Sequence, residues 1–155
     1  MRNNFMKILS IMANSLLLVL LSFSGNALSD SGDTKYEESP LNNIYQLIEN
    51  KQFEQAILEL NQADQDDADV ANLLGYSNRK LENYDVALKY YQHALSINPE
   101  HKGANEYLGE LYLETGEIDK AKQRLAILDD ACFFPCSEYT TLKNSIIKYE
   151  SNLSN

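Results

Sequence analysis

A repeating pattern of leucine-glycine and alanine-aromatic positions constrains the fold of this chain more than any other feature. Residues 68–99 contain two amphipathic segments, and the second has small or apolar residues at helical spacing before a proline. These residues are Tyr84, Ala87, Tyr91, Ala94 and Pro99. In the first segment, Leu74-Gly75 recurs as Leu108-Gly109, which gives a period of about 34 residues. One helix pair cannot bury so wide an apolar stripe, so the pattern predicts helix pairs that stack.

Further matches define three units. The second-helix positions recur one period later as Ile118, Ala121 and Leu125. They also recur slightly less than one period earlier, as Phe53, Ala56, Leu60 and Ala63. We predict units at about residues 40–67, 68–101 and 102–131. The first unit is degenerate, because it lacks the leucine-glycine pair and its second helix is about one turn short.

This combination of period, leucine-glycine and alanine-x-x-x-aromatic resembles the tetratricopeptide repeat. The chain departs from that family at its first large aromatic position, which is Ala71 and Asn105 here, and at Asn78, where the family favours tyrosine. The resemblance implies an all-α fold over residues 40–150. That fold is a right-handed stack of antiparallel helix pairs, with about three repeats and a C-terminal capping helix.

Two glycines are expected to lie where helices approach closely. Gly75 and Gly109 have no side chain to keep a neighbouring helix away. We predict that Tyr91 and Leu125, on the second helices of the same units, fill the space beyond them.

The N-terminal segment is typical of an export signal. Residues 1–27 have a basic start, an apolar centre and small residues before a polar stretch, with predicted cleavage after Ala27. An uncleaved anchor is the alternative, but the uninterrupted apolar run at 16–21 is well below the roughly 20 residues of a membrane span. Residues 28–39 are predicted to be a flexible linker. We therefore expect a periplasmic protein of a bacterium, with no membrane insertion after signal removal.

The charge balance excludes several partners. Without the predicted signal peptide, the chain has 11 basic and 23 acidic residues, which gives a net charge of −12. Nucleic acid and anionic membrane surfaces are therefore poor partners.

Sequence motifs for catalysis, cofactors or metals are missing. The two histidines have no partner at metal-ligand spacing, and no nucleophile motif is present. The acidic run at 64–69 lacks the glycine and closing glutamate of a calcium loop, and we interpret it as a charged turn before a helix. We expect no enzyme activity, no metal site and no cofactor.

The two cysteines are predicted to form a disulfide. Cys132 and Cys136 are an even pair in a chain predicted to be exported. We expect the bond to set the angle between the third unit and the capping helix at 137–150. Ser137 is the predicted N-cap of that helix, and Lys148 is predicted to face away from its apolar stripe. The alternative is a redox-active or metal-handling pair.

A partner is expected on the concave side of the stack, which the first helix of each unit lines. The residues there that packing does not require are predicted to bind it: Tyr45, Ile48, Asn72, Tyr76, Arg79, Glu106, Glu110 and Leu113. Tyrosines provide rigid contact area, Asn72 can bond a peptide backbone, and the glutamates can pair with basic residues.

These residues predict a protein-protein interaction adaptor or scaffold, for which the ligand is a peptide or protein with apolar and basic residues. Three alternatives remain open at this point. They are a thiol-disulfide or metal-handling protein, a self-associating module, and a solvated groove without a ligand.

Overall fold

The structure is a computed structural model that describes residues 41–154. The signal peptide and linker predicted at 1–39 lie outside these residues. From residue 41 to 154 the chain forms seven α-helices and no strand. They are α1 (Asn42–Glu49), α2 (Phe53–Leu60), α3 (Ala68–Lys80), α4 (Tyr84–Ile97), α5 (Lys102–Glu114), α6 (Ile118–Ala131) and α7 (Ser137–Leu153). The predicted all-α repeat fold is confirmed.

The turn inside each helix pair uses one residue in the left-handed region. Lys51, Glu82 and Gly116 have φ angles of 59°, 61° and 81° and occupy equivalent positions in the three pairs. Such a residue ends the first helix and reverses the chain direction. Glycine adopts this conformation without a steric penalty, so the turns at Lys51 and Glu82 carry strain that the third turn avoids.

Side chains cap the first helices of the second and third pairs. The Asp67 carboxylate accepts a hydrogen bond from the Asp69 amide at 2.7 Å, and His101 Nδ1 accepts one from the Ala104 amide at 3.0 Å. His101 Nε2 also lies 2.9 Å from Asp69 Oδ1, which connects the starts of α3 and α5. The acidic run before α3 therefore forms a capping turn.

The hydrophobic core continues from pair to pair. Its buried groups combine side chains of neighbouring helices: Ile44, Ala56, Leu60, Val70, Leu73 and Leu74; then Ala87, Tyr91, Leu108 and Leu111; then Ala121, Leu128, Leu142 and Ile146. At Gly75, an added Cβ would lie 2.6 Å from the ring of the fully buried Tyr91. As predicted, this glycine permits close approach of α3 and α4.

The contact at Gly109 differs from the prediction. An added Cβ there would lie 2.5 Å from Leu142 of α7, whereas Leu125 of α6 is only half-buried. The prediction that Leu125 fills this space was wrong, because α7 packs directly over α5 and places Leu142 against the glycine.

A disulfide joins Cys132 and Cys136 between α6 and α7, with their Cα atoms 5.9 Å apart. Cys136, in extended conformation, is the N-cap of α7, so the prediction of Ser137 was wrong by one residue. Leu142 and Ile146 of α7 are buried against the third pair. Among the helices at 41–154, none combines the length and the hydropathy that crossing a membrane would require.

Candidate functional site

The candidate site is the surface that α1, α3, α5 and α7 form, here called the first-helix groove. It contains two cavities. The N-terminal cavity, about 480 Å³, is lined by Ile48, Glu49, Lys51, Phe53, Tyr76 and Lys80. The C-terminal cavity, about 440 Å³, is lined by Arg79, Lys80, Glu110, Leu113, Glu114, Ser145, Lys148, Tyr149 and Asn152. Lys80 borders both, so the two cavities adjoin.

Five of the eight predicted partner-binding residues line these cavities. Ile48 and Tyr76 lie in the N-terminal cavity, and Arg79, Glu110 and Leu113 lie in the C-terminal one. The other three line neither cavity: Tyr45, Asn72 and Glu106.

All eight predicted residues were expected to be free of packing, and for three of them this expectation was wrong. Asn72, Arg79 and Glu106 are all buried. Their helices lie so close together that these side chains fill space between neighbouring first helices. A buried polar side chain needs a partner, and for Arg79 the structure shows which groups supply it.

Arg79 holds an ion pair that joins the second and third helix pairs. Its side chain is only 3% exposed, and its Nη2 and Nη1 atoms lie 2.7 Å from Glu110 Oε2 and 2.8 Å from Glu114 Oε1. The two carboxylates are 22% and 39% exposed. Arg79 therefore joins α3 to α5, and its charge is already compensated. We call these ion pairs of Arg79 with Glu110 and Glu114 the Arg79 clasp.

Aromatic rings form a row from the groove into the core. The centroids of Phe53 and Tyr76 are 6.2 Å apart, those of Tyr76 and Tyr107 are 4.9 Å apart, and those of Tyr107 and Tyr91 are 6.4 Å apart. The Arg79 Cζ atom lies 5.7 Å from the centroids of both Tyr76 and Tyr107. This contact between a cation and two rings fixes the rotamers of the tyrosines.

Burial raises the pKa values of two ionisable side chains on the first helices, Glu106 and Tyr107. It raises the pKa of Glu106 to about 7, and nearby Glu110 and Glu138 add to the shift. Burial also raises the pKa of Tyr107 to about 12, with Glu106 as a further cause. Near neutral pH the Glu106 carboxyl is therefore partly protonated, and a cation placed beside it would favour its ionised form.

Sequence reasoning missed the contribution of α7 to the groove. Ser145, Lys148, Tyr149 and Asn152 line the C-terminal cavity. Lys148 is exposed and lies outside the apolar stripe, as predicted, but the cavity that it borders was not predicted. The spacing of these residues, three or four apart, places them on one helical face, and this signal could have identified them. Helix α7 therefore extends the groove in addition to covering the core.

Part of the chain matches a known family of repeats. Residues 79–146, from the end of α3 into α7, match the tetratricopeptide repeat family. Together with the three helix pairs, this match confirms the predicted resemblance.

Two solved structures are similar to this chain. Both are of the Yersinia enterocolitica type III secretion translocator chaperone SycD, at 15% sequence identity. One has a TM-score of 0.65 and covers 75% of this chain and 84% of that chain. The other, described as an alternative dimer, has a TM-score of 0.61 and covers 74% and 89%. At this identity the similarity concerns the fold. No match was found among curated proteins.

The possible metal ligands in the described part of the chain do not cluster. Between residues 41 and 154, no three His, Cys, Asp or Glu side chains are grouped so that they could hold a metal ion. What the described helices present is a groove with aromatic side chains, two carboxylates that pair with Arg79, and lysines at its borders. Such a surface can bind another chain through apolar contact and hydrogen bonds.

Proposed function

We propose that this protein is a non-catalytic adaptor or scaffold of the bacterial cell envelope that binds a peptide or protein segment in the first-helix groove. The observation that carries the proposal is the pair of adjoining cavities that share Lys80 along three consecutive first helices and α7. Stacked repeats form extended surfaces of this kind for protein partners. The similarity in fold to a translocator chaperone is consistent with a role in binding another protein.

The groove favours a particular ligand chemistry. Phe53 and Tyr76 offer rigid aromatic area for an apolar side chain of the ligand. Glu106 favours a basic side chain, because a cation beside it would relieve the unfavourable ionisation of a buried carboxyl.

The predicted backbone contact of Asn72 is not part of this proposal, because Asn72 is buried and lines neither cavity. An extended segment with apolar and basic residues fits the two remaining features.

Export of the protein is part of the proposal. The N-terminal pattern of residues 1–27 is that of a signal peptide, and the Cys132–Cys136 disulfide is of a kind that persists in oxidising compartments. The expected mature N-terminus is Leu28. Cell fractionation and N-terminal sequencing test this part. Recovery of the uncleaved chain from the cytoplasm would contradict it.

The binding site is tested by affinity capture from envelope extract. The parent protein is compared with a groove variant, Lys80→Ala/Tyr149→Ala, whose two side chains line the C-terminal cavity. Arg79 is left intact, because its loss would disturb the fold. The matched control is Leu58→Ala/Val86→Ala, which changes exposed side chains on the second helices.

We expect a protein that the parent and the control variant retain and the groove variant loses. Circular dichroism must show that all three chains are equally folded. The groove assignment would be refuted if the groove variant and the control retain the same proteins.

A further inference from the structure

The loop between α6 and α7 presents two exposed phenylalanines. The side chains of Phe133 and Phe134 are 94% and 75% exposed, and their rings contact each other edge to face at 4.8 Å between centroids. The loop is closed by the Cys132–Cys136 disulfide, so the pair is held in place. We call Phe133 and Phe134 the Phe knob. Adjacent exposed aromatic rings of this kind are typical of an interaction site.

The surroundings of the Phe knob are acidic. Asp129 and Asp130 are exposed in the last turn of α6, and Glu138 lies in the first turn of α7. Residues 125–142 contain these three acids and no basic residue. A surface that receives the knob should therefore combine an apolar pocket with a basic border.

The N-terminal cavity of the first-helix groove has these properties. Ile48, Phe53 and Tyr76 provide its apolar wall, within a volume of about 480 Å³. Lys51 and Lys80 stand at its border, with Glu49 as the single acid in the lining. The Lys80 ammonium lies 5.1 Å above the Tyr76 ring, so it stays close to the apolar wall.

We propose that the Phe knob of one copy of this chain binds the N-terminal cavity of a second copy, with Asp129 and Asp130 facing Lys51 and Lys80. A chain cannot fill its own cavity in this way, because the knob follows the third helix pair and the cavity lies between the first pair and α3. Helices α4, α5 and α6 lie between them along the stack.

The two surfaces of this contact differ, so the association is head-to-tail and each added copy leaves one knob and one cavity free. Because the contact area is small, the association is weak and needs high protein concentration. The inference goes beyond the proposed adaptor function and does not depend on it, since no envelope partner takes part.

Sedimentation velocity on the purified protein, from about 10 µM to about 1 mM, tests the proposal. We expect the mean mass of the parent to rise with concentration. The knob variant Phe133→Ser/Phe134→Ser and the cavity variant Lys51→Glu/Lys80→Glu should remain monomers. Leu58→Ser, which removes another exposed apolar side chain of 68% exposure, should behave like the parent.

Mixing the two variants distinguishes head-to-tail association from other geometries. The knob variant keeps its cavity and the cavity variant keeps its knob, so together they should form a complex of two chains that cannot grow further. If two knobs paired instead, the cavity variant would associate with itself through its intact knob, and adding the knob variant would form no further complex; that result would overturn the proposal.

A charge exchange tests the predicted ion pairs. Asp129→Lys/Asp130→Lys should associate weakly alone and should bind the Lys51→Glu/Lys80→Glu chain, because both charges of the contact are then reversed. The proposal is overturned if the parent stays monomeric throughout the concentration range, or if the knob variant associates as the parent does.

Discussion

Replacement of Arg79 by methionine tests the Arg79 clasp, the ion pairs that join the second and third helix pairs. Methionine keeps most of the apolar volume but removes the guanidinium, which leaves Glu110 and Glu114 without their counter-charge. Removing one partner of a fully buried ion pair costs about 3–5 kcal/mol. The two carboxylates are 22% and 39% exposed, so water compensates part of this loss. We therefore expect the free energy of unfolding to fall by about 2–3 kcal/mol at pH 7.5.

Urea unfolding followed by circular dichroism measures this difference. Glu114→Gln is the matched control, because it removes only the more exposed carboxylate, and we expect it to cost about 1 kcal/mol or less. In the Arg79→Met chain the two carboxylates are like charges without a counter-charge, and added salt screens their repulsion. The deficit against the parent should therefore become smaller as the salt concentration rises from about 0.05 M to about 1 M.

Two results would refute the reasoning. One is an Arg79→Met chain whose free energy of unfolding at pH 7.5 lies within about 0.5 kcal/mol of the parent, the scale of an ordinary surface substitution. The other is a deficit that stays constant with salt concentration, because it would show that packing around the Arg79 stem, and not charge, accounts for the loss.

Four further substitutions test separate parts of the structure by the same unfolding measurement. Gly75→Ala should destabilise by about 1–3 kcal/mol despite the better helix propensity of alanine, because its Cβ meets the buried Tyr91 ring; a neutral result would contradict the close approach. Glu82→Gly should stabilise by about 0.5–1 kcal/mol, since it relieves a left-handed φ of 61°, and a loss of stability would contradict this reasoning. Glu106→Gln removes a carboxyl whose pKa burial raises to about 7, so the parent should lose stability as the pH rises from 5 to 8 while the variant does not; the two should differ by about 1–2 kcal/mol at pH 8, and parallel pH profiles would contradict it. Leu142→Ala leaves a cavity over Gly109 and should cost about 2–4 kcal/mol, whereas a cost below about 1 kcal/mol would show that α7 contributes little to the core.

The helix pairs could be predicted because their signal is local and periodic. Gly75 and Tyr91 belong to the two helices of one pair, and the small and large side chains that let helices approach recur in the sequence. At Gly109 the same reasoning failed. The third pair has α7 as its neighbour, and the period does not specify which residue of a non-repeating helix meets the glycine.

The groove was harder to predict, because its polar residues depend on contacts between repeats. Arg79 was assigned to a free surface since charged side chains are usually solvated. Its partners Glu110 and Glu114 follow 31 and 35 residues later, about one repeat along the chain. A search for opposite charges at that separation would have indicated a buried pair. The side of α7 that lines the groove carries Lys148 and Tyr149. Their spacing shows that they share a helical face, but it does not show that this face borders the groove.

The shortness of α1 and α2 affects how the N-terminal cavity responds to binding. Each of these helices has eight residues, fewer than the roughly 12–15 that an isolated helix needs in water, so both depend on packing against α3. Local opening of this pair should be easier than opening of the longer α3 and α4. Amide hydrogens at 42–60 should therefore exchange fastest among the described helices. A ligand in the cavity should slow that exchange over the whole pair, including residues that it never touches.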